Sequence, residues 1–229
     1  MDGRYVGAMA RSLPIAVLVS GSGTNLQAIL DAIAAGRLDA TVRVVLSNIA
    51  GVAALARAEA AGVPTLVIDH RGFPGREAFD TCVVQALRER QVELVALAGF
   101  NRLLSPVLIR AFPLAIINIH PALLPAFPGL HAQRQALEHG VRIAGATVHF
   151  VDEETDHGPI IIQAAVPVLP EDDEESLGAR ILAEEHRIYP EAIQLLAEGR
   201  LRVVGRRVVV TDAEHPIGAA LANPPPRLR

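Results

Sequence analysis

Short apolar runs alternate with segments of helical spacing through the first half of the chain, and this pattern most restricts the possible folds. Strands that are apolar on both faces and alternate with helices are typical of βαβ units. The pattern therefore predicts an α/β protein in which helices cover both faces of a parallel sheet. The predicted strands cover residues 15–19, 41–46, 65–68, 94–98 and 115–119, and the predicted helices cover residues 26–35, 52–61, 76–90 and 105–111.

The pattern changes after a proline-rich loop that follows residue 120. We expect the last long helix to be interrupted near Pro190, because proline lacks the backbone N–H and clashes with the preceding turn. The expected architecture is a Rossmann-like three-layer α/β/α fold, whose central sheet is mostly parallel and becomes mixed in the C-terminal part. The predicted elements are helices at 131–139 and 176–198, strands at 143–151 and 160–168, and a hairpin at 202–204 and 208–210.

We expect a single domain, because no linker is long enough to separate two independent units. This domain would cover residues 14–212. An N-terminal tail at 1–13 and a proline-rich C-terminal tail at 213–229 would flank it.

The composition excludes several classes of protein. All 21 basic residues are arginine, since the sequence contains no lysine, which excludes Schiff-base enzymes and P-loop nucleotidases. With 25 acidic residues the net charge is -4, so no nucleic-acid partner is expected. Cys82 is the only cysteine, which excludes an internal disulfide and fits a cytoplasmic location. No apolar run approaches the roughly 20 residues that span a membrane, so no membrane partner is expected.

A glycine loop, Gly21-Ser22-Gly23-Thr24-Asn25, follows the first predicted strand and opens the first helix. Backbone N–H groups and the helix dipole hold phosphate in such a context. The loop lacks the third glycine of the dinucleotide fingerprint, and the second strand does not end in a carboxylate, so NAD is disfavoured. Two interpretations stay open: a phosphate site, or an ordinary turn in which Thr24 or Asn25 is the N-cap.

Asn118 and His120 lie at the carboxyl end of a predicted central strand, where ligands of open α/β sheets bind. Because one residue separates them, they point to the same face. Such a pair suits a reaction at a carbonyl group: the amide donates to a developing oxyanion and the imidazole moves a proton. The alternative is a histidine that is simply packed at the end of a strand.

Asp156 precedes a Gly-Pro turn between two apolar strands and is the carboxylate that we expect to orient His120. His149, in the preceding strand, is the weaker neighbour. A metal site built from His120, His149 and Asp156 is conceivable as a facial triad, but no local ligand spacing supports it, so no metal is expected.

Four stretches of the sequence, in this order, resemble the phosphoribosylglycinamide formyltransferases, the folate-dependent enzymes of purine synthesis. The Asn-x-His and Asp signature marks the wider formyl-folate superfamily, and the glycine loop selects this family within it. The resemblance runs from about residue 15 to residue 210. It rests on residues 20–27 (SGSGTNLQ), 98–104 (AGFNRLL), 118–125 (NIHPALLP) and 155–161 (TDHGPII).

The resemblance implies transfer of a formyl group from 10-formyltetrahydrofolate, as co-substrate, to the amine of glycinamide ribonucleotide. It implies a phosphate-binding half at about 14–113 and a folate and catalytic half at about 114–212, in a monomer or homodimer. The implied roles are catalysis for Asn118, His120 and Asp156; phosphate binding for Gly23, Thr24 and Asn25; amine binding for Glu185; and folate binding for Arg76, Asn101, Arg102, Leu103, Leu104 and Asn118.

Three positions depart from the pattern of the family: Asn101 replaces an apolar residue, Ala126 a lysine and His157 a glycine. His157 is expected to stiffen the loop around Asp156 or to add a titrating group beside it. Two rival functions are kept as alternatives, a 10-formyltetrahydrofolate hydrolase and a non-catalytic nucleotide-binding module. A methionyl-tRNA formyltransferase is disfavoured, because it needs a further nucleic-acid-binding domain.

Overall fold

The strands of the computed structural model join into one sheet. The structure describes residues 4–6, of which only the backbone is considered, and residues 12–212. The strands are β1 (Arg4–Val6), β2 (Leu13–Val19), β3 (Ala40–Ser47), β4 (Thr65–Val67), β5 (Leu94–Leu97), β6 (Ile116–His120), β7 (Ile143–Phe150), β8 (Ile160–Pro167), β9 (Leu201–Val204) and β10 (Arg207–Val210).

Helices follow most of the strands. They are α1 (Thr24–Ala34), α2 (Ala53–Ala60), α3 (Arg76–Glu89), α4 (Pro106–Ala111), α5 (Ala132–His139) and α6 (Glu174–Ala197), with a single 3-10 turn at His70–Gly72. Among the described residues, no helix is both long enough and apolar enough to cross a membrane.

The sheet is parallel in its first half and mixed in its second. The strand order is β1-β9-β10-β8-β7-β6-β5-β2-β3-β4. β4, β3, β2, β5 and β6 run parallel, as expected for successive βαβ units. β7 then pairs antiparallel with both β6 and β8, and the β9–β10 hairpin adds to β8. The predicted fold class, including the mixed C-terminal part, is confirmed.

Two apolar cores lie on opposite faces of the sheet, which gives three layers. The residues of β2 alternate between them: Ile15 and Val17 join the larger core, and Ala16 and Leu18 join the smaller one. Buried residues of α1, α2, α5 and α6 complete the larger core, and those of α3 and α4 complete the smaller one. Because the central strands are covered on both faces, we expect a substrate to reach only the residues at the ends of these strands.

Helix α6 continues through Pro190, so the predicted interruption is wrong. Near Pro190 in this helix, Tyr189 and Ile193 are completely buried in the larger core. A proline inside a helix costs about 3 kcal/mol, a penalty that the packing of a long buried face offsets. A capping box of Asp173 and Ser176 fixes the start of the helix.

The predicted tails have different outcomes. Within the stretch predicted as an N-terminal tail, Arg4–Val6 pairs with β9, and Leu13 already belongs to β2. A strand therefore stands where no regular structure was expected, because pairing with a strand about two hundred residues later is invisible to local sequence patterns. The predicted C-terminal tail at 213–229 lies outside the described residues.

Candidate active site

The loops after β2 and β5 lie side by side at the carboxyl edge of the sheet. The Ser20 N–H donates to the Gly99 carbonyl oxygen at 3.0 Å, and the Ser20 hydroxyl accepts the Asn101 N–H at 2.9 Å. Ser20 also donates to Asn48 Oδ1 at 2.6 Å. Since β6 is next to β5, the predicted glycine loop and the predicted catalytic strand open toward the same edge.

Gly23, and neither Thr24 nor Asn25, is the N-cap of α1, so the predicted N-cap is wrong. Gly23 has φ 73°, in the left-handed region that glycine adopts readily. A Cβ atom at this position would lie 2.5 Å from the Cβ atom of Ala54 in α2. No side chain caps the helix, so its first N–H groups are left to other acceptors.

A buried hydrogen bond joins the glycine loop to α6. Asn25 Nδ2 donates to Glu185 Oε2 at 2.7 Å across 160 residues of sequence. Burial raises the pKa of Glu185, and the hydrogen bond from Asn25 opposes part of that shift. Asn25 Oδ1 is buried and has no hydrogen-bond partner among the described residues. Two acceptors, an amide oxygen and a carboxylate, therefore lie together at the start of α1.

The three predicted catalytic side chains come together at the end of β6. His120 Nδ1 lies 3.4 Å from Asp156 Oδ2, and His120 Nε2 lies 2.9 Å from the carbonyl oxygen of Phe127. Asp156 also accepts the N–H of Gly129 at 2.8 Å. Both ring nitrogens of His120 thus face oxygen atoms that can accept hydrogen bonds, so the ring is held from two sides.

His149, ranked from the sequence as a weaker neighbour than Asp156, also belongs to this cluster. It is the cross-strand partner of Asn118, and its Nε2 atom lies 3.3 Å from Asn118 Nδ2 and 3.8 Å from Asp156 Oδ1. Its Nδ1 atom lies 2.8 Å from the carbonyl oxygen of Phe150. Burial lowers the pKa of His149, against the opposing effects of the Phe150 carbonyl and Asp156.

The residues predicted to bind folate differ in their exposure and in their contacts. The Arg102 guanidinium lies over the ring of Phe79 at 5.0 Å, and Leu104 packs against the smaller core. Leu103 is 59% exposed, a high value for a leucine beside a candidate cleft. Asn101 and Arg76, the first residue of α3, are exposed, and the described hydrogen bonds and ion pairs do not join Arg76 to the catalytic cluster.

His157, for which a stiffer loop or an added titrating group is expected, forms contacts within and beyond the loop that carries Asp156. Its Nδ1 atom lies 2.9 Å from Asp152 Oδ2 within the loop. Arg206, in the turn of the β9–β10 hairpin, donates to His157 Nε2 and to its carbonyl oxygen, both at 2.6 Å. The loop is therefore tied to the C-terminal hairpin.

Tyr189, Thr147 and Gln163 support the site and were missed in the sequence. The buried hydroxyl of Tyr189 donates to the carbonyl oxygen of Leu97 at 2.9 Å and lies 3.3 Å from that of Ile117, on the neighbouring strands β5 and β6. Thr147 Oγ1 accepts the Leu124 N–H at 3.1 Å, and Gln163 donates to the Leu124 carbonyl at 2.9 Å. The alternation of polar Thr147 and His149 with apolar neighbours was the available signal.

The described part of the chain contains no group of three or more His, Cys, Asp or Glu side chains arranged to hold a metal ion. His120 Nδ1 and His149 Nε2 lie 3.4 Å and 3.8 Å from the two carboxylate oxygens of Asp156, and His149 also contacts Asn118.

An amide, an imidazole and a carboxylate at the carboxyl edge of a Rossmann-like sheet define an enzyme site suited to group transfer at a carbonyl carbon. The formyl transferase family profile matches residues 13–193. The chain belongs to the formyl transferase family, as the resemblance predicted.

Named relatives agree with this assignment. The chain is 46% identical over 189 residues to phosphoribosylglycinamide formyltransferase of Escherichia coli (strain K12), covering 82% of this chain and 89% of that protein. It is 53% identical over 192 residues to the trifunctional purine biosynthetic protein adenosine-3 of Drosophila pseudoobscura pseudoobscura, covering 83% of this chain. The chain spans only 14% of the length of that trifunctional protein.

The fold is shared with solved structures. The crystal structure of glycinamide ribonucleotide transformylase 1 from Symbiobacterium toebii superposes with a TM-score of 0.86 at 58% identity, covering 87% of this chain and 94% of that chain. The phosphoribosylglycinamide formyltransferase from Coxiella burnetii, solved in complex with CHES, superposes with a TM-score of 0.84 at 41% identity, covering 87% of this chain and 94% of that chain.

Proposed function

We propose that this chain transfers the formyl group of 10-formyltetrahydrofolate to the amine of glycinamide ribonucleotide, as a phosphoribosylglycinamide formyltransferase of de novo purine synthesis. The observation that carries the proposal is the cluster of Asn118, His120 and Asp156 at the same sheet edge as the glycine loop. The high identity to named formyltransferases along almost their whole length supports it.

The reaction forms a bond between the substrate amine and the formyl carbon and breaks the bond from that carbon to the folate nitrogen. One proton moves from the amine to the departing nitrogen. Asn118 would donate a hydrogen bond to the formyl oxygen as it gains negative charge. His120, held between Phe127 and Asp156, would carry the proton.

The glycine loop would hold the phosphate of the ribonucleotide. Gly23 leaves the N–H groups of Thr24 and Asn25 at the positive end of α1, which suits a phosphate in a protein without lysine. The amine would donate to Glu185 and to the unpartnered Asn25 Oδ1, two acceptors that are already close together. A neutral amine has two N–H groups for these acceptors and keeps its lone pair for the formyl carbon.

The folate would lie along the opposite side of the cleft, against Asn118 and the segment of Asn101, Arg102, Leu103 and Leu104, with Arg76 available to its carboxylates. The division into a phosphate-binding half at about 14–113 and a folate and catalytic half at about 114–212 stays a prediction, and the proposed folate residues Arg76 and 101–104 lie in the first half. No metal takes part in the proposed chemistry. A cytoplasmic location and a monomeric or homodimeric state stay predictions.

The experiment is to mix the purified protein with 10-formyltetrahydrofolate, with and without glycinamide ribonucleotide, and to measure tetrahydrofolate and formylated ribonucleotide. We expect both products in equal amounts, and only when the ribonucleotide is present. Equally fast loss of the formyl group without ribonucleotide would identify a hydrolase. Binding of the ribonucleotide without turnover would identify the non-catalytic module.

The variant His120→Ala tests the catalytic cluster. It is expected to lower kcat by about 10²-fold or more, the size of a general acid–base contribution. Calorimetric titration with glycinamide ribonucleotide is the control, because binding should persist in a folded variant. Turnover close to that of the wild type would remove His120 from the mechanism.

A further inference from the structure

His149 lies where it can determine the orientation of the Asn118 amide. The register of β6 and β7 places the two residues directly opposite each other, and their side chains meet with 3.3 Å between Asn118 Nδ2 and His149 Nε2. His149 is 2% exposed, so water cannot readily replace this contact.

The carbonyl oxygen of Phe150 determines which nitrogen of His149 carries the proton. That oxygen lies 2.8 Å from His149 Nδ1 and can only accept, so Nδ1 carries a hydrogen. In the neutral ring, Nε2 then presents a lone pair. Asn118 must meet this lone pair with its NH2 group, because its Oδ1 atom would face it with a second acceptor.

We propose that neutral His149 is a positioning residue, which binds one N–H of the Asn118 amide and thereby directs the second N–H toward the formyl oxygen. This inference rests on the proposed function, since it assigns the direction in which the oxyanion donor points. His149 itself touches no reacting atom. It acts through Asn118, and the orientation of that amide decides whether the site offers a donor or an acceptor to the oxygen that gains charge.

Protonation of His149 would reverse this arrangement. A hydrogen on Nε2 would repel the NH2 group of Asn118 and favour a flipped amide, with Oδ1 toward His149. Three titratable groups face the ring: Asp156, with Oδ1 at 3.8 Å, and Asp152 favour its protonation, whereas His120 opposes it. Desolvation exceeds these effects and lowers the pKa, so the ring stays neutral at pH 7 and becomes charged only in acid.

The test compares His149→Gln with His149→Leu in the full-length enzyme. Glutamine can accept from Asn118 through Oε1 but does not titrate, whereas leucine offers no acceptor. At pH 7.5 or so, we expect His149→Leu to lower kcat by about 10²-fold, comparable to the loss of one oxyanion donor, with both KM values changed by less than about threefold. His149→Gln should retain most of kcat.

The pH profile gives a readout that a purely structural role would not change. The ratio of kcat for His149→Gln to kcat for the wild type should rise as the pH falls, with the rise centred below the ordinary imidazole pKa of about 6.5 because burial lowers the pKa of His149 and only the wild type loses its acceptor. Groups common to both enzymes cancel in this ratio. A ratio that stays constant from pH 8 down to the lowest pH at which both enzymes remain folded would overturn the inference, as would undiminished kcat in His149→Leu.

Denaturation curves distinguish a failed site from a failed fold. If His149→Leu does not fold, the ratio of kcat for His149→Gln to kcat for the wild type still tests the role of His149. A wild-type protein that transfers no formyl group at all would reject the proposed function itself. Normal wild-type transfer combined with a flat ratio would reject only the role of His149.

Discussion

Gly23→Ala tests whether close packing at the glycine loop sets both stability and ribonucleotide binding. Two separate effects would destabilise an alanine at this position. The backbone φ of 73° is unfavourable for any residue with a Cβ atom, and that atom would lie 2.5 Å from Ala54 Cβ and 2.7 Å from Ala54 Cα. The nearest obstacle therefore includes backbone, which cannot move aside as the end of a flexible side chain can.

The expected magnitude follows from these two costs. The left-handed conformation contributes about 1–2 kcal/mol and overpacking about 1–3 kcal/mol, which together give about 2–5 kcal/mol of lost unfolding free energy. For a domain of this size, the melting temperature would fall by roughly 5–15 °C. Because the clash pushes the loop away from α2, the KM for glycinamide ribonucleotide should rise while the KM for the folate changes little.

Two other glycines separate the two costs. Gly36 has φ 66° but open space around its position, so Gly36→Ala should carry only the backbone cost of about 1–2 kcal/mol. Gly21 meets nothing within 4 Å and lies outside the left-handed region, so Gly21→Ala should leave stability unchanged or raised by up to about 1 kcal/mol. Urea denaturation of all three variants measures the differences. Equal destabilisation by Gly23→Ala and Gly36→Ala would refute the role of the Ala54 contact.

Three further predictions concern residues that support the site. Tyr189→Phe leaves buried carbonyl oxygens without their donor and should cost about 1–3 kcal/mol of unfolding free energy, measured by urea denaturation. Thr147→Val removes the group that binds the Leu124 N–H and should lower kcat more than it raises KM in steady-state assays, whereas Thr147→Ser should restore activity. For Glu185→Gln we expect greater stability than the wild type at pH 7 and a smaller advantage at pH 4, with transfer reduced. Because the pKa of Glu185 is raised in the folded wild type, the folded state still binds this proton at pH values where the unfolded chain has released it. The free energy of unfolding of the wild type therefore falls as the pH rises. An advantage for Glu185→Gln that is equal at the two pH values would contradict this origin.

The alternation of apolar runs and helices was enough to predict the central sheet, because burial on both faces leaves a clear local pattern. The predicted strand at 41–46 is one residue shorter at each end than β3 (Ala40–Ser47), and the predicted helix at 76–90 is one residue longer at its end than α3 (Arg76–Glu89). Asn118 and His120 were predicted to share a face by the period of a strand, and both contact the same cluster.

What the sequence could not indicate depends on distant contacts. The N-cap falls on Gly23 because α2 approaches it, and α6 continues through Pro190 because buried neighbours outweigh a local penalty. His149 was ranked below Asp156 because the register between β6 and β7 is a tertiary property. Tyr189 looks like an ordinary core residue until its hydroxyl is placed against carbonyl oxygens of two neighbouring strands.

The hydrogen bond between Asn25 and Glu185 makes the proposed amine site depend on the docking of a single helix. One partner lies at the start of α1 and the other lies 160 residues later in α6, so neither half of the chain holds the acceptor pair alone. The same helix carries Tyr189 beneath β5 and β6. Local opening of α6 would therefore dismantle the proposed amine site and uncover one face of the sheet, and amide hydrogen exchange in this helix would report the fraction of molecules in which the site is intact.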